Sequence, residues 1–377
     1  MLERLVAFNT ESRRSNLDII AFIADWLAGH GVACARFPNA AGDKAALFAT
    51  IGPAQDGGVL LSGHTDVVPV AGQAWSSDPW RLRVEHGRAY GRGAVDMKGF
   101  LAIALALVPE MRAAPLKRPL HLLFSYDEEI TCLGVTDAIA RMGVDLPRPA
   151  AAIVGEPTDM EVVSAHKSVV SLTTRVTGRE GHSSRPAAGA SAIHAAARLI
   201  GWLDDRQRLL AAEGDPSGLF DPPCSTLQAG MITGGTARNI IARECRFLWE
   251  FRGLPGHSHE TVMQELAAFA ERDVLPPMRR AAPEARVETT CDVAVPHLAP
   301  RPGSEAEQLA LRLAGRNRTG AVSFATEAGH FQNAGIATVV CGPGSIAQAH
   351  QADEFITLAA LDEGAAFIRR LVAALSA

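Results

Sequence analysis

The sequence predicts an α/β fold: a doubly wound catalytic domain with a mixed sheet, interrupted by an inserted ferredoxin-like α+β domain. Three observations predict it. Short apolar runs alternate with helical periodicity up to residue 166 and again after residue 291. Each run before residue 166 stops at polar residues, as strands of an open α/β sheet do at the carboxyl edge where ligands collect. Between residues 167 and 291 the order changes to β-α-β-β-α-β, the split βαβ arrangement.

In the first part, Asn16–Gly31 carries Ile19, Ile20, Phe22, Ile23, Trp26 and Leu27 at helical spacing, with Gly29 and Gly31 as the stop. Ala45–Ile51 and Val59–Ser62 read as strands parted by the turn GPAQDGG. A loop rich in Trp, Pro and Gly follows at Ala71–Trp80, and GRGAVDMKG opens a helix near Gly99–Arg112. Leu120–Tyr126 and Ala150–Gly155 are buried strands. In the insertion, Ser168–Thr177, Thr226–Thr233, Arg243–Phe251 and Ala285–Thr290 read as strands, and Ser191–Leu210 and Ser258–Arg272 as helices. The tract Pro276–Ala285, rich in Arg, Pro and Ala, reads as a surface loop. A helix near Ser304–Gly315, a strand near Ala337–Cys341 and a helix near Leu358–Leu375 complete the chain. The expected domains are therefore 1–166 with 292–377, and 167–291.

At 377 residues the chain is long enough for two domains. A net charge of −5 leaves no basic surface for nucleic acid. Glu3 and Arg4 stand where a signal peptide needs an apolar core, and no run reaches the ~18 apolar residues of a membrane span. Cys34, Cys132, Cys224, Cys245, Cys291 and Cys341 are scattered without a CxxC pair, which reads as reduced thiols. A cytoplasmic protein is expected.

Chemistry-bearing residues gather at strand ends and turns: His64-Thr65-Asp66, Asp96, Glu128-Glu129, Glu156 and His350. Imidazole and carboxylate without thiolate suit zinc, cobalt or manganese in a catalytic site. The set exceeds what one tetrahedral ion needs, and two ions about 3.5–4 Å apart need a shared carboxylate. Asp96 is the natural bridge, being short and set in a Gly-rich turn. Adjacent side chains at a strand end diverge, so one of Glu128 and Glu129 can bind a metal while the other stays free as a base. Asp66, two residues after His64, suits the role of accepting the imidazole N–H. Taken singly, each is an ordinary turn residue; Glu128-Glu129 alone would read as a solvated helix start. The combination of HTD, VDMKG, DEE, GEP and AHQADE after apolar runs carries the argument.

Together these motifs resemble the M20 metallopeptidases, a dinuclear-zinc family of aminoacylases, deacetylases and carboxypeptidases, over essentially the whole chain. The resemblance implies that His64 and Glu156 bind one metal, Glu129 and His350 the other, and Asp96 both. It implies Glu128 as general acid/base, Asp66 as the residue that orients His64, and a cis peptide at Asp96–Met97. The metals implied are zinc, with cobalt accepted by the same ligands. It also implies a homodimer in which His182, in REGHSSRP, reaches the partner's site as an oxyanion donor. Asn239 in GGTARNIIA and Arg252 in EFRGLPG match positions that grip substrate oxygens and carboxylate. Within the family, ATEAGHFQ (Ala325–Gln332) and CGPGSIAQAHQADE (Cys341–Glu354) point to hydrolysis of a small N-acetyl amino acid, N2-acetyl-L-ornithine, rather than of a succinylated substrate. Thr326 reads as a helix N-cap whose following amides, Gly329 among them, hold the substrate carboxylate. Glu327 would then favour a substrate ammonium. The alternatives are another N-acyl amino acid or dipeptide, and a metal-containing binding module without catalysis. A complete ligand set beside a free base argues against the last.

Overall fold

The computed structural model describes residues 1–377, which divide into two compact units. The first comprises Met1–Ala165, Leu298–Ala321 and Thr326–Ala377; the second comprises His166–His297 and Val322–Ala325.

The first unit is built on an eight-stranded mixed sheet. Its order is Cys34–Pro38, Ala45–Ile51, Leu120–Ser125, Val59–His64, Ala151–Val154, Ala337–Val340, Val163–His166 and Gly320–Val322. The three strands that matter most run parallel. Val59–His64 lies between Leu120–Ser125 and Ala151–Val154, with His64 opposite Ser125 and Ser62 opposite Val154. Their carboxyl ends therefore leave the sheet side by side, which delivers the polar residues after each strand to one edge. These strands are apolar on both faces because helices cover both. The helix Leu17–Gly29 buries Ile19, Ile20, Ile23 and Leu27, and Leu358–Ser376 buries Phe367, Ile368 and Leu371, all in one core with the sheet.

One helix of this unit differs from the sequence reading. The expected helix over Gly99–Arg112 is two, Lys98–Ala106 and Val108–Ala113. Pro109 explains the break: it has no N–H for the helical ladder and its ring crowds the carbonyl four residues back. The packing under the sheet is close. A Cβ on Gly155 would lie 2.3 Å from the Phe100 ring, so only glycine fits beside that helix.

In the second unit, Val169–Thr177, Thr226–Gly234, Glu244–Arg252 and Arg286–Val295 form one antiparallel sheet. Its order places the chain's second strand at one edge and its fourth at the other, the ferredoxin-like pattern. Helices Ala192–Glu213 and His259–Phe269 supply Leu199, Leu203, Val262 and Leu266 to a separate core with Leu172, Phe247, Trp249 and Phe251. Trp249 spends its indole N–H on the Thr174 hydroxyl at 2.9 Å, so its polar end is satisfied inside.

The Pro276–Ala285 tract, expected as a loop, is mostly helical. A wider turn at Ala270–Val274 continues the preceding helix into Leu275–Ala281. Its two prolines fall in the first turn, where no N–H is needed, and Leu275 and Met278 are buried. The last strand of this sheet runs to Val295, past its expected end at Thr290. A bulge between Cys291 and Val293 breaks the alternation by which the sequence would have shown it.

Candidate metal centre

Five segments of the first unit meet at the carboxyl edge of the parallel strands. His64 ends its strand, fully buried, and Glu156 follows Ala151–Val154 at 4 % exposure. Glu128 and Glu129 lie in the turn after Leu120–Ser125, and Asp96 in the turn before helix Lys98–Ala106. The peptide Asp96–Met97 is cis. His350 comes from the far end of the chain, in a left-handed conformation (φ +62°).

Asp96 stands between the two imidazoles. Its Oδ1 is 3.1 Å from His64 Nε2 and its Oδ2 is 3.2 Å from His350 Nε2. His350 Nε2 is also 3.0 Å from Glu129 Oε2. His64 Nε2 lies 3.7 Å from Glu156 Oε1 and 4.0 Å from Glu128 Oε2. Two sets of donor atoms converge tightly enough to hold a cation: His64, Glu128 and Glu156, and His64, Asp96 and Glu129. The contacts bring His64 beside Glu156 and His350 beside Glu129, while the two donor sets also gather Glu128 and Glu129 around His64.

The electrostatics follow from crowding. Burial, then the charges of Glu156, Glu129 and Asp96, hold the Glu128 carboxyl well above its ordinary range against the pull of His64. Burial and the Asp96 charge push Glu129 up to about 7. Burial raises Glu156 to about 7 as well, against His64, with Asp96 and Glu327 adding to the rise. Hydrogen bonds to Asp96 and Glu129 lift His350 to about 10, with burial opposing. Burial opposes a charged His64, but Glu156 and Asp96 outweigh it and raise its pKa well above the imidazole value. Such crowding of carboxylates favours positive charge at this edge. A second sign is Glu156 Oε1, a buried acceptor without a hydrogen-bond partner. Buried polar groups are nearly always paired, so the orphaned oxygen fits a cation ligand. Carboxylate and imidazole are donors suited to zinc or cobalt.

Asp66 plays a different part from the one expected. The His64 Nδ1 lies 2.9 Å from the Asp66 backbone carbonyl and 3.6 Å from its carboxylate. The carbonyl therefore takes the imidazole N–H. The carboxylate instead accepts the backbone N–H groups of Glu128 (3.2 Å) and Glu129 (3.3 Å). Sequence reasoning missed Glu354, although it sits in AHQADE. Its buried carboxylate accepts the N–H of Gly93 (2.9 Å), Val95 (2.9 Å) and Asp96 (3.1 Å) and pairs with Arg92 at 2.7 Å, which fixes the turn carrying Asp96. Only its acidic type, four residues after His350, could have drawn notice.

Thr326 and Glu327 are buried before the short helix Ala328–Asn333. Thr326 Oγ1 accepts the Ala328 N–H at 3.1 Å, although Glu327 occupies the N-cap position, and Gly329 is buried within the helix. The Glu327 expectation needs correction. Its carboxylate accepts the hydroxyls of Ser62 and of Ser125 (2.7 Å), at 1 % exposure, so it is placed to brace two strand ends rather than to meet a substrate ammonium. The sequence showed its charge but not the two serines that enclose it.

His182, Asn239 and Arg252 belong to the second unit. His182 and Asn239 are exposed; His182 bridges Ile240, and its Nδ1 accepts the Ser184 N–H at 3.1 Å. The Asn239 carbonyl accepts the Ser183 N–H at 3.0 Å. Arg252, at the end of its strand, forks onto Glu250 at 2.7 and 3.2 Å.

A mixed α/β sheet carries at its carboxyl edge an imidazole–carboxylate cluster able to hold cations, and the family match makes the chain a hydrolase. The chain belongs to peptidase family M20/M25/M40, whose family model matches residues 60–374. It is 33 % identical over 360 residues to the acetylornithine deacetylase of Pasteurella multocida (strain Pm70), covering 95 % of this chain and 91 % of that protein. Identity to the acetylornithine deacetylase of Proteus mirabilis (strain HI4320) is 34 % over 359 residues, covering 94 % and 89 %. Among solved structures, the M20 family metallo-carboxypeptidase Sso-CP2 of Sulfolobus solfataricus shares the fold with a TM-score of 0.75 at 17 % identity, covering 100 % of this chain and 98 % of that one. The YXEP protein of Bacillus subtilis, described as a dinuclear metal-binding M20 peptidase, aligns with a TM-score of 0.66 at 16 % identity, over 98 % and 96 %. No helix is long and apolar enough to cross a membrane.

Proposed function

We propose that this protein is a dinuclear metal-dependent amidohydrolase that removes the acetyl group of N2-acetyl-L-ornithine, giving acetate and L-ornithine. The observation that carries the dinuclear reading is Asp96, with one carboxylate oxygen toward each imidazole. The substrate rests on the two deacetylases that resemble this chain over nearly its full length. In this reading His64 and Glu156 hold one cation, Glu129 and His350 the other, and Asp96 both; zinc is the assigned metal, with cobalt accepted by the same donors. Bound there, the cations supply Lewis-acid polarisation and a water of lowered pKa.

The chain's own residues do the rest. Glu128, whose pKa is held high by burial and neighbouring carboxylates, accepts the attacking water's proton and delivers it to the leaving α-amine. His182 of a partner copy donates to the oxyanion, Asn239 holds a substrate oxygen, Arg252 suits a carboxylate by its planar fork, and the Thr326–Gly329 amides suit an anion. The protein acts as a cytoplasmic homodimer in arginine synthesis; six unpaired thiols support the reducing setting.

The test is hydrolysis of N2-acetyl-L-ornithine, N-acetylmethionine and N-succinyl-diaminopimelate by protein loaded with zinc or cobalt, with and without chelator. Chelator-sensitive turnover is expected, fastest on acetylornithine. A higher kcat/KM on either other substrate would refute the substrate assignment, and chelator-insensitive turnover the metal assignment.

A further inference from the structure

The turn carrying Glu128 and Glu129 has no strand or helix to hold it. Asp127 and Cys132 within it both take left-handed conformations (φ +57° and +54°). Its anchors come from the chain's N-terminal segment instead. The Asp66 carboxylate that accepts the Glu128 and Glu129 N–H groups also accepts the Ser12 hydroxyl, at 2.7 Å. Ser12 is 3 % exposed and Asp66 2 %. The segment is laid along the residues after His64: Ser12 N–H donates to the Val67 carbonyl (3.1 Å), and Val67 N–H to the Thr10 carbonyl (3.0 Å). Lys44 ties the other side of the turn. Its ammonium donates to the Ser12 carbonyl and to the Asp127 carboxylate. The Asp127 carbonyl in turn accepts the Thr131 and Cys132 N–H groups, each at 2.9 Å.

We propose that Ser12 and Lys44 are positioning residues for the Glu128-Glu129 pair, acting through Asp66 and Asp127. The proposal rests on the reading of Glu128 as proton carrier and Glu129 as cation ligand. A carboxylate shared by two weakly bound amides can rotate; the short hydroxyl bond from Ser12 removes that freedom. The Ser12 hydroxyl bonds Asp66 and Val67 rather than either glutamate, so its loss would act through their placement. Misplacing a reacting group by ~1 Å costs on the order of 10²-fold in rate. Losing an outer contact to a metal ligand costs roughly 10–100-fold in affinity or activity.

The experiment compares Ser12→Ala and Ser12→Thr in the full chain. One readout is kcat and KM on N2-acetyl-L-ornithine; the other is titration with cobalt(II), followed by its visible absorption, which needs no substrate. Ser12→Ala is expected to lower kcat by roughly 10–100-fold with KM within about twofold, and to weaken cobalt binding by about tenfold. Ser12→Thr, which keeps the hydroxyl, should recover both. Wild-type kcat and cobalt affinity in Ser12→Ala would overturn the proposal, as would a loss that Ser12→Thr does not recover. Should Ser12→Ala fail to fold, Lys44→Gln reads the same two quantities with the same expected direction. If the wild type hydrolyses no N-acyl amino acid, the functional reading fails, and the cobalt titration alone decides the positioning role.

Discussion

Replacing Glu354 should cost more than any other single change near the Asp96 turn. Its carboxylate serves four donors at once: three consecutive-turn amides and the Arg92 guanidinium, with both ionic partners 1 % exposed. Glu354→Gln keeps the shape and one oxygen, which can still receive Val95 and Asp96. Its new NH2 group then faces Gly93 N–H and Arg92, donor against donor. Breaking a buried ion pair from one side typically costs about 3–5 kcal/mol. Arg92 keeps Gln73 and the Trp75 ring, 5.1 Å away, which puts the expected loss near the lower end, ~3 kcal/mol. A protein with about 5–15 kcal/mol of stability survives this. The variant should therefore fold, with its urea midpoint lowered and its metal content reduced, because Asp96 N–H is one of the amides released. Urea unfolding and elemental analysis after gel filtration measure both. A loss below about 1 kcal/mol with full metal content would refute the reasoning.

Other predictions concern the site itself. Glu128→Gln should lower kcat by at least about 10³-fold with both metals retained by elemental analysis; metal loss in proportion to activity would remove Glu128 from the proton-carrier role. Glu129 and Glu156, raised to about 7, stabilise the cation-free chain below pH 4.5, and that contribution is lost as pH rises through 7. Cation binding displaces those protons and the one that His350 holds up to about 10, so affinity should rise with pH through 7 and on toward 10, and calorimetry at pH 6 should show heats that depend on the buffer's ionisation enthalpy. Buffer-independent heats would contradict it. Gly155→Ala should destabilise by about 1–3 kcal/mol through overpacking against Phe100, read as a lower melting temperature.

The motifs were legible because an apolar strand ending in His or Glu is a local pattern, and parallel strands gather such ends at one edge. That is how His64, Glu129 and Glu156 could be read as neighbours without coordinates. The division of labour at Asp66 was not legible. The carbonyl and the carboxylate of the same residue lie 2.9 and 3.6 Å from the imidazole, a choice set by the backbone turn and not by residue type. Glu354 and Ser12 act over separations of 258–261 and 54 residues, through hydrogen bonds that leave no periodicity. Glu327 misled for the same reason: its serine partners lie on other strands. The Leu275–Ala281 helix escaped because prolines mark loops more often than first turns.

The residues proposed as ligands are unevenly spread along the chain. His64, Asp96, Glu128, Glu129 and Glu156 all precede the inserted unit, and His350 follows it. During synthesis the ribosome has therefore made the His64–Asp96–Glu156 group before the insertion begins, whereas Glu129 waits for roughly two hundred further residues to bring its imidazole. A chain ending prematurely in the insertion carries an acidic half-site with one histidine. Glu354, whose carboxylate accepts the Asp96 N–H, also follows the insertion, so the Asp96 turn gains its brace only after residues 166–297 have been made.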